Sequence, residues 1–107
     1  MKSIGIDIGT TTLSFTVTER DTLAVIQNYT IANDSFIQTG NPWERIQDTD
    51  VILSRIHPVL NEILDTYSDI SAIGITSQMH GIIYTDSDGH AVSPLYTWQD
   101  GRGALPE

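Results

Sequence analysis

The run Asp7-Ile8-Gly9-Thr10-Thr11-Thr12 sets an acid at the end of one apolar alternation, a glycine at the break and three hydroxyls at the opening of the next. Each residue type has a use against a phosphate. Glycine lets the backbone approach an oxyanion closely, the turn amides and the Thr10 and Thr11 hydroxyls can donate to its oxygens, and Asp7 can hold a hydrated magnesium ion. The same residues also suit a plain hairpin, because Asp and Gly favour turns, and on this run alone the two readings are balanced. Asp86-Ser87-Asp88-Gly89 has the look of a second acidic ion loop. A calcium loop needs more oxygen ligands at defined spacing, so this run reads as a turn between strands rather than a metal site.

The elements that must position these residues follow from hydrophobic period. Ile4, Ile6 and Ile8 alternate with Ser3, Gly5 and Asp7, which predicts a strand over 3–8. Leu13, Phe15 and Val17 mark a second strand over 11–18, and 23–31 is β-branched and apolar, so an antiparallel meander is expected, its second turn at Glu19-Arg20-Asp21. The stretch 32–48 is polar, contains Gly40, Asn41 and Pro42, and reads as a loop. From Asp48, a candidate N-cap, Val51, Ile52, Ile56, Leu60, Ile63, Leu64 and Tyr67 recur at intervals of three and four, the pattern of an amphipathic helix. Pro58 inside it predicts either a kink or a start later than Asp50. Residues 70–76 read as a buried strand, parallel to the first because a helical crossover joins parallel strands. Residues 81–85 and 91–95 read as a hairpin, and the tail from Trp98 as irregular. The fold class is α/β: a mixed sheet built on the meander, one main helix over one face, and a further strand.

With 107 residues the chain has the size of one small domain and reads as one unit. A formal net charge of −9, with only five scattered Lys and Arg, argues against binding nucleic acid or an anionic membrane. The apolar runs are far shorter than the roughly 20 residues a bilayer span needs. The start Met1-Lys2-Ser3 lacks the apolar core of an export signal, and there is no cysteine, so a cytoplasmic location is expected.

Longer motifs carry a resemblance. Gly5-Ile6-Asp7-Ile8-Gly9-Thr10-Thr11 resembles the first phosphate motif of the superfamily that includes actin and hexokinase, whose members bind ATP between two related lobes. Within it, Gly74-Ile75-Thr76-Ser77-Gln78-Met79-His80-Gly81 resembles the FGGY family of carbohydrate kinases, its Gln-Met-His form being more like the ketose kinases of sedoheptulokinase and xylulokinase type. Trp98-Gln99-Asp100-Gly101-Arg102 is a third match at the expected distance.

The resemblance covers essentially the whole chain but only the start of the family. It implies that 1–107 is the N-terminal part of a first lobe, a partial ribonuclease-H-like domain, with ATP and magnesium as cofactors and a sugar as partner. It further implies that Asp7, Gly9, Thr10, Thr11 and Thr12 face the phosphates, with Asp7 also holding magnesium through water, and that Gln78, Met79, His80, Trp98 and Asp100 face the sugar. An imidazole and a carboxylate can fix hydroxyls directionally, while an indole or thioether covers the C–H face of a sugar. Other roles stay open: His80 as a structural histidine, Trp98 as a core anchor, Asp100 with Arg102 as a local ion pair, and Gln78 orienting its loop from behind. Leu13-Ser14-Phe15 departs from the family, which commonly has Lys or Arg there. The family's catalytic aspartate is expected beyond Glu107, so no catalytic residue is assigned here and the chain alone is expected to show no turnover and to self-associate through exposed apolar surface. The rival reading is a noncatalytic actin-like nucleotide-binding or assembly module, which shares the Asp-Gly-Thr run but has no need of Gln78-Met79-His80 or Trp98-Gln99-Asp100.

Overall fold

A computed structural model describes residues 1–106. In chain order the elements are β1 (Lys2–Ile8), β2 (Thr12–Glu19), β3 (Val25–Ala32), β4 (Ile46–Gln47), α1 (Thr49–Thr66), β5 (Ile70–Ser77), β6 (Leu95–Tyr96) and a short 3-10 turn, Arg102–Ala104. Length alone suggested one unit, yet contacts divide the chain into two: residues 1–33 with 54–78, and residues 34–53 with 79–106. The second is assembled from two distant segments, which no local pattern announces.

The first unit is a four-stranded sheet in the order β3-β2-β1-β5. β1 and β2 pair antiparallel, as do β2 and β3, while β5 lies parallel to β1. The expected meander and crossover are both present. Register explains which face is apolar: Ile4 pairs with Val17, Ile6 with Phe15 and Ile8 with Leu13, so these side chains share one side of the sheet. Ile4, Ile6, Leu13, Phe15 and Val17 are buried, as are Ile56 and Ile63, seven residues apart on one stripe of α1. The helix and the sheet face bury each other, each large side chain contributing about 1.5–3 kcal/mol. The opposite face is polar, with Asp7 paired to Ser14 and Gly5 to Thr16.

Two helix expectations resolve. Asp48 Oδ1 accepts the backbone N–H of Asp50 at 2.9 Å, the bond of an N-cap. The helix starts at Thr49 rather than after Asp50, and runs through Pro58 to Thr66. The expected burial of β5 is not met: its strand exists, but every residue after Ile70 is exposed, Ile75 at 65%. Ile73 and Ile75 pair with Ile4 and Ile6 and so lie on the apolar face. β5 is one of the two edge strands of this sheet, β3 being the other.

The second unit is irregular. β4 pairs antiparallel with β6, Ile46 opposite Tyr96 and Gln47 opposite Leu95, and single bridges join Phe36 to Gln47, Ile82 to Tyr96 and Thr85 to Ala91. The stretch expected to be a plain loop therefore contains a strand. The expected hairpin is present in loose form: Asp86 N donates to His90 O, Val92 N to Tyr84 O, and Gly89 takes the left-handed φ of 84° that its turn requires. No helix among the described residues is long and apolar enough to cross a membrane.

Candidate functional site

In the first unit the turn between β1 and β2 is fixed from three directions. Gly9 N donates to Thr12 O at 3.0 Å, and a Cβ at Gly9 would sit 2.9 Å from that oxygen, which admits only glycine without a shift. Asn33, just past β3, donates its side-chain amide to Gly9 O at 2.8 Å, and its N–H goes to Thr11 O at 2.9 Å. From the end of β5, Gln78 N donates to Ile8 O at 3.0 Å, and Gln78 Oε1 accepts the Thr10 hydroxyl at 3.1 Å. Thr11 and Thr12 are exposed at the tip.

Asp7 lies on the polar face of the sheet, its Oδ1 accepting the Thr76 hydroxyl at 3.1 Å. It helps line a trough of about 420 Å³ in which Gly5 and Gly74 lie side by side with open space above them. An exposed carboxylate engaged by one neutral hydroxyl is a hard oxygen donor with lone pairs to spare, which suits a hydrated magnesium ion. At the position where a Lys or Arg was expected, Leu13 and Phe15 are core residues and only Ser14 faces the polar side.

In the second unit His80, Ile82, Tyr84, Tyr96, Thr97, Trp98, Asp100, Arg102 and Gly103 line a concavity of about 500 Å³. Tyr84 and Tyr96 meet edge to face, their centroids 6.3 Å apart. Trp98 is exposed in this wall rather than a core anchor. His80 has a left-handed backbone, φ 61°, uncommon for a residue with a Cβ and the sort of conformation that aims a side chain at a defined place.

Behind this wall the backbone is zipped to residues 43–45. Thr97 N and Oγ1 both donate to Arg45 O, at 3.1 and 2.8 Å, and Gly101 N donates to Trp43 O at 2.8 Å. A Cβ at Gly101 would press on Trp43 Cβ at 3.3 Å. Asp100 closes the arrangement: Oδ2 accepts Arg45 N at 2.8 Å and Arg102 Nη2 at 3.2 Å, while Oδ1 accepts Arg102 N at 3.1 Å and Arg102 Nε at 2.7 Å. The Arg102 guanidinium, reinforced by the two backbone N–H donors, holds the Asp100 carboxyl down at about 2 against the opposing effect of burial. Arg102 Nη2 also donates to Glu44 Oε2 at 2.9 Å. Glu44 in turn is held below the usual carboxylate range, first by the Asn41 amide and also by Arg102.

Of the residues expected at the sugar, His80, Trp98 and Asp100 therefore share one concavity. Met79 is outside its lining and 73% exposed, and Gln78 is engaged by Thr10 at the phosphate turn. The local ion pair of Asp100 with Arg102, left open by the sequence, is present, with the Asp100 side chain only 3% exposed and that of Arg102 40% exposed. Asp86, Asp88 and His90, all exposed, bring one ligand atom each within 4.8 Å of one another, and Asp86 Oδ1 is committed to the N–H groups of Asp88 and His90 as a turn residue. Asn33, Trp43, Glu44 and Arg45 were missed. The partners that define their roles are distant, Gly9 lying 24 residues from Asn33 and Arg102 lying 58 from Glu44, and single polar residues in a loop-like run give no periodic signal.

Comparison with known proteins meets this geometry. The model of the FGGY family of carbohydrate kinases, N-terminal domain, matches residues 3–105. A xylulose kinase of Staphylococcus xylosus is 29% identical, the match covering 92% of this chain and 20% of that protein. Among solved structures, a gluconate kinase from Lactobacillus acidophilus superposes with a TM-score of 0.80 at 24% identity, and a ligand-bound xylulose kinase from the same organism with 0.79 at 24% identity, each covering 92% of this chain and 20% of the other. The chain spans about a fifth of the length of these relatives, and the structural likeness shows a shared fold, the actin-like ATPase fold of these kinases. By its family match over nearly all its length, the chain belongs to the FGGY family of carbohydrate kinases and corresponds to the N-terminal domain.

Proposed function

We propose that this chain supplies the first part of an ATP-dependent kinase that transfers the γ-phosphoryl group to a primary hydroxyl of a ketose, xylulose being favoured by the S. xylosus relative. The observation that carries the reading is the concavity in which His80, Trp98 and Asp100 meet two tyrosines: aromatic surface for C–H faces beside polar groups is the composition of a small-sugar pocket. The turn Gly9-Thr10-Thr11-Thr12, closed on the Thr12 carbonyl and braced by Asn33 and Gln78, offers the exposed Thr11 and Thr12 hydroxyls to a nucleotide's phosphates. Asp7 would hold magnesium through water, and the ion when bound supplies positive charge against the phosphates.

No residue of this chain is assigned as the base that accepts the sugar's proton. Asp100 is a poor candidate, since a carboxyl held at about 2 has little affinity for a proton near neutrality. The purified chain should therefore show ligand contacts without turnover. Amide-resolved NMR titration tests this: xylulose should move the Trp98 indole and His80 signals, ATP with magnesium should move residues 9–12, and no ketose-dependent ADP should form. Silence of both regions to both ligands would overturn the reading.

A further inference from the structure

The Asp100 carboxylate has four N–H donors, two on each oxygen. A carboxylate offers about four lone-pair sites, so this one has none left for a sugar hydroxyl. Arg102 is in the opposite condition. Of its five donors, Nε–H and both hydrogens of Nη2 go to Asp100 and Glu44, whereas Nη1 meets no acceptor among the described residues. The guanidinium centre is 4.3 Å from the Tyr96 ring centroid and 5.6 Å from that of Trp43, so its plane is held by aromatic contact as well as by two carboxylates. Its side chain is 40% exposed and lines the same concavity as His80 and Trp98.

Charge decides what Nη1 can favour. Asp100 and Glu44 set two negative charges against one positive, leaving the cluster with a net charge of −1 before any ligand arrives. A carboxylate ligand would be the third anion around one cation, and like-charge juxtaposition is costly. A hydroxyl or carbonyl oxygen takes the two N–H donors without that penalty.

Resting on the pocket reading above, we propose that Arg102, not Asp100, is the residue of this segment that touches the sugar, its Nη1 donating to a hydroxyl or carbonyl oxygen. Asp100 acts through Arg102 as a positioning residue. The matched charge of Arg102 makes the pocket select a neutral polyhydroxy ketone over a sugar acid, which separates this chain from the gluconate kinase whose fold it shares.

The test compares xylulose and gluconate on the 107-residue chain by NMR titration of the Trp98 indole. Xylulose should bind about tenfold more tightly than gluconate in the native sequence. Glu44→Gln keeps an acceptor for Arg102 but removes one charge from outside the pocket lining, and should narrow that preference by about threefold. Arg102→Lys keeps the charge but loses the planar fork, and should weaken xylulose by about tenfold with backbone signals of the first unit unchanged. Equal affinity for the two ligands, a Glu44→Gln ratio equal to the native one, or Arg102→Lys binding xylulose natively would each overturn the proposal while the sugar-pocket reading stands. If Arg102→Lys unfolds the loop, the Glu44→Gln ratio decides alone. Absence of any sugar response in the native chain would overturn both.

Discussion

The side-chain amide of Asn33 donates to the Gly9 carbonyl oxygen at 2.8 Å, tying the end of β3 to the turn between β1 and β2. Asn33 is nearly buried, so the bond is shielded from water and its loss would strand the Gly9 carbonyl. Asn33→Ala should therefore lower stability by about 1–2 kcal/mol and speed amide exchange at Gly9 through Thr12 more than in the strands. Unchanged exchange in that turn would show that the bond does not hold it.

Gly9 is held to its residue type by space rather than by φ. A methyl group there would meet the Thr12 carbonyl oxygen at 2.9 Å, and that oxygen is backbone already accepting from Gly9 N–H. Gly9→Ala must open the turn, at about 1–3 kcal/mol. Calorimetry should show this loss, and ATP with magnesium should shift residues 9–12 less than in the native chain.

Gln78 reads as a substrate residue in its sequence motif, yet its Oε1 accepts the Thr10 hydroxyl at 3.1 Å. Gln78→Ala should consequently change the response of the phosphate turn to ATP and leave the xylulose response of the Trp98 indole within about twofold of native. The reverse pattern would return Gln78 to the sugar.

The parts of the fold that were legible in the sequence are those specified by period. Ile4, Ile6 and Ile8 against Leu13, Phe15 and Val17 give the meander and its buried face, and Ile56 and Ile63 give the stripe of α1. Pro58 misleads about the start of α1, because the helix accommodates it. β4 and β6 are two residues each, too short for any alternation to register, and exist through pairing across about 50 residues. The run at β5 reads as buried from its apolar content, whereas on this edge strand Ile73 and Ile75 are exposed, which apolar content alone does not reveal. At the site, residue types were readable but partners were not. Asp100 and Arg102 are adjacent enough to pair on sight, while Glu44, which completes the charge cluster, is 58 residues from Arg102.

Acid should unlock the second unit in a defined window. The Asp100 carboxyl is depressed from 3.8 to about 2, chiefly by the Arg102 hydrogen bond, so the folded state holds this proton less tightly than the unfolded chain does. A depressed carboxyl contributes its stability above the unfolded value, and that contribution is lost as pH falls through the folded one. Between about pH 4 and pH 2 the second unit should therefore weaken, with the Arg102 Nε and Arg45 amide signals moving together as Asp100 takes up its proton. Asp100→Asn carries no titrating group there, so its stability should be lower near neutrality, by about 1.5–3 kcal/mol, and should respond less to pH across the same window. An Asn variant with the native acid profile would place the transition on other carboxylates and would remove Asp100 as the group that locks this loop.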